Sequence, residues 1–226
     1  MAGDFGYEKL TVYQKGLHFV RFRESLLQNV CGRIAACDHL ERASESILIN
    51  IAHASSSWSP EERIVYLGHA NGSALECAGS LDVLVARRRL DGDDVSPAKG
   101  ELHEVVSMLI AMKATAEKGR IREPSTPYLE GTPVLFSHEK LQVYERELQF
   151  VRWLDDILQT ASGSRDVCAK LDRSSTAIVL NTVEGNGRFS ARDQVKFLRT
   201  AYRSTVQSSA LLDLVLVGQL SEREGY

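Results

Sequence analysis

Only four of the 226 residues are cysteine and five are proline. Cys31, Cys37, Cys77 and Cys168 form no C-x-x-C pair and have no histidine at zinc-ligand spacing. That excludes a disulfide framework and a zinc-finger type of site, so they read as buried thiols of a reducing compartment. No apolar run approaches the roughly 18 residues that cross a bilayer. The start, Met1-Ala2-Gly3-Asp4-Phe5, lacks the basic and apolar regions of a secretion signal, so a soluble, cytoplasmic protein is expected. Positive charge is not in surplus either: 27 Lys and Arg stand against 30 Asp and Glu, a net charge of -3. Any contact with nucleic acid is therefore confined to a local patch. Almost no segment alternates with period two, which argues against strands. What the chain does have is 43% hydrophobic and 25% charged residues, enough to fold as one large domain or two of roughly 110 residues.

The chain is a tandem repeat. Glu8-Lys9-Leu10-Thr11-Val12-Tyr13 returns as Glu139-Lys140-Leu141-Gln142-Val143-Tyr144, an offset of 131. The same offset carries Phe19-Val20-Arg21 onto Phe150-Val151-Arg152, and Leu40, Arg42, Ser44, Ile47 and Asn50 onto Leu171, Arg173, Ser175, Ile178 and Asn181. It still holds at Leu81-Asp82 and Leu212-Asp213, and 24 of 79 aligned positions are identical without a gap. Equivalent residues such as Tyr13 and Tyr144, or Leu81 and Leu212, are then expected in like surroundings.

Both copies read as helix. Leu10, Tyr13, Leu17, Val20 and Leu27 recur at spacings of three, four and seven, a single apolar stripe. Gly32 and Gly163 should end the first helix of each copy. A second helix is expected over 37–56 and 166–185. Ser59-Pro60-Glu61-Glu62 restarts the chain with a capping residue, a first-turn proline and a capping-box glutamate, and Ser190 with Asp193 repeats this in copy two. The third helix is expected to run to about Arg89, where Arg87, Arg88 and Arg89 suit the negative end of its dipole. Ser96-Pro97 should open a fourth helix to about Lys118. Gly119, Pro124, Pro127, Gly131 and Pro133 have linker composition. The expected organisation is all-α: a four-helix bundle over 1–118, a linker over 119–136, and a second bundle over 137–226 whose fourth helix is missing. The apolar faces of its last helices would need cover from copy one, another subunit or a partner protein.

At these residues the sequence resembles the four-helix-bundle proteins encoded in intervening sequences of 23S rRNA genes, related to the accessory variability determinant of diversity-generating retroelements. The family's opening Glu/Asp-x-Leu-x-Val-Trp/Tyr is matched by Glu8 to Tyr13 and by Glu139 to Tyr144. Its longer pattern, a Ser-Ile-x-x-Asn-Ile-Ala-Glu-Gly-x-Gly-Arg stretch followed by a capped helix, is matched in copy two. There the matching residues are Ala177, Ile178, Asn181, Glu184, Gly185, Gly187, Arg188, Phe197, Leu198, Ala201 and Ser204. Copy one keeps Ser46, Ile47, Asn50, Ile51 and Ala52, has His53, Ala54 and Ser57 where the family has Glu, Gly and Arg, and retains Gly72-Ser73-Ala74-Leu75-Glu76. The resemblance implies an all-α bundle that assembles into oligomers, pentameric rings in characterised relatives, with no enzymatic activity assigned. Its retroelement branch implies binding to a reverse transcriptase and to nucleic acid through a basic surface.

The residues themselves offer one electrostatic candidate. Arg192, Lys196, Arg199 and Arg203, spaced four, three and four apart, form a stripe on the third helix of copy two, and Arg188 extends it. Residues 186–210 hold five basic side chains and one acidic, Asp193. Such a cluster suits phosphate, and RNA or an RNA-bound reverse transcriptase is the expected ligand. The alternatives are a solvated face, or pairing with acids such as Asp155 and Asp156. Copy one has Arg63 but also Glu61, Glu62 and Glu76 along the equivalent helix. Asn50 and Asn181, set among branched aliphatics, are expected to bond between helices and fix their register. Glu184-Gly185-Asn186-Gly187-Arg188 reads as a structural loop in which glycines permit positive φ and Glu184 pairs with Arg188 or bonds backbone amides; an exposed recognition loop is the alternative. Phe22 and Trp153 occupy one position in the two copies and are expected in the core, with an assembly interface as the alternative. Arg33…His39 and Arg63…His69 fit an Arg-x(4–6)-His ribonuclease spacing, but about as many matches arise by chance. No nucleophile–base set or phosphate loop accompanies them, so no enzyme, cofactor or metal site is expected. The competing reading is an interaction scaffold whose second bundle is completed by a partner helix or another subunit.

Overall fold

Helical periodicity carries over directly into three dimensions. The computed structural model describes residues 6–28, 30, 32, 34–118, 136–160, 164–188 and 190–224, with side-chain burial described as far as 217. Among them are seven α-helices and no strand: α1 (Thr11–Gln28), α2 (Ala35–Ser56), α3 (Pro60–Ala86), α4 (Gly92–Glu117), α5 (Gln142–Thr160), α6 (Arg165–Asn186) and α7 (Ala191–Glu224). The protein is all-α. None of these helices is long and apolar enough to cross a membrane. Linker residues 119–135, with Cys31, Arg33 and Gly163, lie outside the described residues.

The repeat is written into the elements. Two 3-10 turns, Gly6–Lys9 and Ser137–Lys140, precede α1 and α5. In each copy an aromatic ring of the turn meets the helix tyrosine edge-on: Tyr7 with Tyr13 and His138 with Tyr144, both at 4.9 Å between centroids. The surroundings are less alike than the sequence suggests. Tyr13 is half-buried, whereas Tyr144 is buried and donates its hydroxyl to Asp82 Oδ2 at 2.7 Å. Leu81 is buried, but Leu212 only partly so. Copy two covers fewer of its apolar positions, and its residues differ in exposure accordingly.

Two compact units can be distinguished, and they interleave the repeats. One comprises residues 1–30, 39–78 and 91–136; the other comprises 31–38, 79–90 and 137–226. In the first unit α1 packs on α4, and Val12, Phe19, Leu40, Ile47, Leu67, Leu102 and Leu109 are buried. The Lys15–Glu104 ion pair and a His18–Glu101 contact join α1 to α4, and a His39–Glu76 hydrogen bond (2.8 Å) joins α2 to α3. Ser59 caps α3 through its Oγ, which accepts the Glu62 N–H at 3.1 Å. Arg63 donates to the carbonyls of Ala54 and Ser57, satisfying acceptors at the end of α2. Arg63 and His39, both drawn into the ribonuclease-like spacings, therefore have structural partners.

Three details differ from expectation. The fourth helix begins at Gly92, not at Ser96-Pro97, and holds Pro97 inside it. Asp93 and Asp94 in its first turn favour the positive end of the dipole, which outweighs one missing backbone donor. α3 ends at Ala86, three residues early. There Arg88 takes φ +54, its N–H bonds to the Val85 carbonyl and the Arg89 N–H to the Leu84 carbonyl, which is a Schellman closure. Asn50 and Asn181 each donate to a carbonyl four residues earlier in their own helix, Ser46 and Ala177, at 2.8 and 2.7 Å. The carbonyl four residues back, already bonded to the backbone, has a second lone pair within reach of a mid-helix side chain.

The second unit is built on an apolar cluster of Leu154, Leu171, Leu211 and Val215, flanked by Phe150, Ile157 and Leu158. α6 packs along α7, and buried Ser174 and Ser208 share a hydrogen bond of 2.8 Å between them. Gly79 lets α3 approach α6 closely, since a Cβ there would stand 3.0 Å from Val183 Cγ2. The three arginines after α3 do more than complement a dipole. Arg87, 1% exposed, pairs with Asp172 at 2.8 Å and donates to Ser175 Oγ at 2.7 Å. Arg89 binds both oxygens of Asp155 (2.9 and 3.2 Å), and Arg88 pairs with Asp156 at 2.7 Å on the surface. Burial lowers the Arg87 pKa from the usual arginine value, and Asp172 and Asp155 oppose that shift.

Two outcomes follow for stability. Arg87→Ala strands Asp172 in a half-dry site and should cost about 3–5 kcal/mol in urea unfolding, whereas Arg88→Ala should cost less than about 1 kcal/mol. Equal effects would contradict the network. Glu147 of α5, which accepts the Thr182 hydroxyl at 2.7 Å, has its pKa raised from 4.5 to about 7 by burial. The folded chain therefore holds a proton that the unfolded chain has released, and this contribution is present below pH 4.5 and lost as pH rises through about 7. Melting temperature compared between wild type and Glu147→Gln across that window should show the downward slope in the wild type alone.

Candidate nucleic-acid interface

The C-terminal end of α6 sets the direction in which α7 departs. Gly187 caps α6 with φ -82, its N–H bonding to the carbonyls of Val183 and Gly185. The expected positive φ is therefore absent from Gly187, and among the described glycines only Gly32, beyond α1, has one. Gly185 is small for a different reason: a Cβ there would lie 3.3 Å from Phe197 Cβ and 3.4 Å from Leu198 Cγ. Bare backbone at this point lets the first turns of α7 lie against α6.

Arg188 closes the corner. Its guanidinium binds Glu184 Oε1 at 2.6 Å, as the spacing suggests, and stacks over the Phe197 ring at 4.5 Å. A half-buried pair joined to a cation–π contact is worth about 1–2 kcal/mol. Its carbonyl accepts Gln194 Nε2 at 2.9 Å, and Asn186 Nδ2 donates to Ser137 Oγ at 2.6 Å. Arg188 thus serves the corner first, with its charge partly neutralised. Glu184, Gly185 and Gly187 all belong to this corner.

The other four basic residues face outward. Arg192, Lys196, Arg199 and Arg203 are all exposed, and none makes an ion pair among the described residues. Asp155 and Asp156, the acids that could have neutralised them, are held by Arg89 and Arg88. Buried Ala201, Ser204, Ser208, Leu211 and Val215 mark the opposite side of α7, the one that packs inward. The resulting surface is a row of free cations about one helical turn apart, a spacing that suits successive phosphates.

Charge counting missed the apolar half of this surface. Val195, Tyr202 and Val206 are exposed, Tyr202 at 70%, and their spacings of seven and four set them beside the basic row. Further along α7, Leu214 and Val217 are exposed as well. Trp153, expected in the core, is half exposed and rests against Phe150, while Phe22 in copy one is half-buried. Cys37 and Cys77 are buried thiols outside any disulfide, and burial pushes the Cys77 pKa well up.

Comparison with known proteins adds one finding. Residues 8–111 match the family model described as 23S rRNA-intervening sequence protein. The match spans α1 to α3 and most of α4, so it falls on copy one, while the basic row lies in copy two. No curated protein and no solved structure matches the chain.

Proposed function

We propose, for a chain whose residues 8–111 belong to the 23S rRNA-intervening sequence protein family, that copy two is a non-catalytic RNA-contacting module. It binds RNA, alone or held by a reverse transcriptase, through Arg192, Lys196, Arg199 and Arg203. The observation that carries this reading is that all four cations are exposed on one side of α7 without an ion-pair partner among the described residues. In a chain of net charge -3 such a concentration needs a use, since unneutralised like charges one turn apart repel. Tyr202 offers a ring on which an unpaired base can stack. Arg188 acts as a positioning residue that fixes where α7 begins.

The test is binding of an RNA hairpin at several salt concentrations. About four phosphate contacts should give a slope near -3 in log K against log salt. Replacing all four by glutamate should lower affinity by about 100-fold or more and flatten that slope, with helicity unchanged by circular dichroism. Equal affinity in wild type and variant would remove the proposal.

A second reading, a scaffold that receives a helix from another subunit or a partner, is favoured by a different observation. Val12, Leu67 and Val83 are buried, yet their counterparts Val143, Leu198 and Leu214 are about half exposed. Apolar side chains from another subunit or a partner would cover such positions. Light scattering should then show an assembly that Val143→Glu with Leu214→Glu disperses; a monomer at all concentrations, with no partner bound, would exclude it.

A further inference from the structure

The 3-10 turn before α5 holds two side chains that the basic surface leaves unused. His138 is fully buried, and Glu139 beside it is half-buried. The last turns of α3, in the same compact unit, bring Asp82 to them. One ligand atom from each of Asp82, His138 and Glu139 lies within 4.8 Å of the other two.

We propose that Asp82, His138 and Glu139 bind a divalent cation of the Zn2+ class, which clamps the end of α3 to the turn that starts α5. The donor set is one imidazole nitrogen and two carboxylates, a combination suited to Zn2+, with Mn2+ as the nearest competitor. Donors about 2.1 Å from a shared ion stand roughly 3–4 Å from one another, so the side chains need only a small inward adjustment. Two half-buried carboxylates brought together beside a buried ring repel, and a divalent ion would remove that repulsion.

The surroundings orient the donors. Tyr144, itself buried, donates its hydroxyl to Asp82 Oδ2 at 2.7 Å, the kind of outer contact that sets the direction of a ligating carboxylate. Its ring meets the His138 imidazole edge-on at 4.9 Å and fixes that plane. Copy one shows what the turn requires without a ligand. There the equivalent residue is Tyr7, which makes the same contact with Tyr13 at the same 4.9 Å. A tyrosine satisfies the packing, so packing does not account for a histidine in copy two. The imidazole adds a nitrogen donor within reach of two carboxylates. The wide separation of Asp82 from the turn in sequence hides this site from any reading of ligand spacing.

The full chain, stripped with a chelator, should bind one equivalent of Zn2+ by calorimetry, and Co2+ in its place should give visible d–d absorption. His138→Gln and Asp82→Asn should each weaken Zn2+ binding by at least about tenfold. Saturating Zn2+ should raise the melting temperature of the wild type and not that of His138→Gln. Asp82→Asn keeps an acceptor for the Tyr144 hydroxyl, so it remains informative if the histidine variant folds poorly. Failure of the helical wild type to bind Zn2+ or Mn2+ would overturn the site. Binding that survives both substitutions would place the ion elsewhere and overturn it equally.

Discussion

The buried guanidinium of Arg87 is the constraint from which the second unit takes its form. It sits beyond the last turn of α3 and reaches Asp172 and Ser175 of α6, with Asp155 of α5 at 3.9 Å. Taking these charges out of water costs several kcal/mol for each ion, and only close, multiple contacts offset that. The backbone is bent to provide them. Arg88 adopts a left-handed conformation that costs a non-glycine residue about 1–2 kcal/mol, and this sends Arg87 and Arg89 inward while Arg88 stays at the surface. The network contributes specificity of arrangement more than net stability: apolar replacements of equal volume would hold the helices together without dictating their register.

The exposed cations of α7 lie in the same compact unit as that network. An isolated reading of the charges would pair Arg192 or Arg199 with the aspartates of α5, since opposite charges on neighbouring helices commonly meet. Asp155 and Asp156 are already engaged by the arginines that follow α3. With those acids engaged, the basic row has no neutralising partner among the described residues, and its potential is available to a ligand. The corner formed by Glu184, Gly185 and Arg188 then determines where the row begins.

What the sequence disclosed was what local physics decides. Seven helices could be read from apolar spacing, and the cap at Ser59 and the Glu184–Arg188 pair from short-range chemistry, because each depends on residues within one or two turns. The errors have one origin. Gly92 rather than Ser96 opens α4 because first-turn acids compete with a proline signal at close range. Asn181 bonds within its own helix because a carbonyl four residues back is always present, whereas a partner on another helix depends on packing. Gly185 is needed for a close approach by Phe197, which no dihedral argument anticipates. The basic row was legible as spacing, but its freedom from partners was not. Tyr202 and Val206 were passed over because a search for charge ignores the apolar residues between. Arg87 with Asp172, and Asp82 with His138, are pairings between distant segments that only the fold creates.

Duplication explains how one chain can hold two unlike surfaces on one architecture. The family match lies on copy one, whose third helix begins with Glu61 and Glu62 and commits Glu76 to His39. Copy two begins the same helix with Arg192 and continues with cations. Since the whole chain is mildly acidic, its long-range field gives no help in drawing in a polyanion. At physiological salt that field is in any case screened beyond about 8 Å, so attraction arises only where cations are dense and close to the phosphates. A contact of this kind is short in range and sensitive to salt, and it needs geometry to be selective. The apolar residues beside the row provide such geometry: a ring such as Tyr202 rewards an unstacked base, which a regular duplex does not present. On the proposed reading, the surface would favour a looped or single-stranded RNA over a continuous helix, through the residues that charge alone would not reveal.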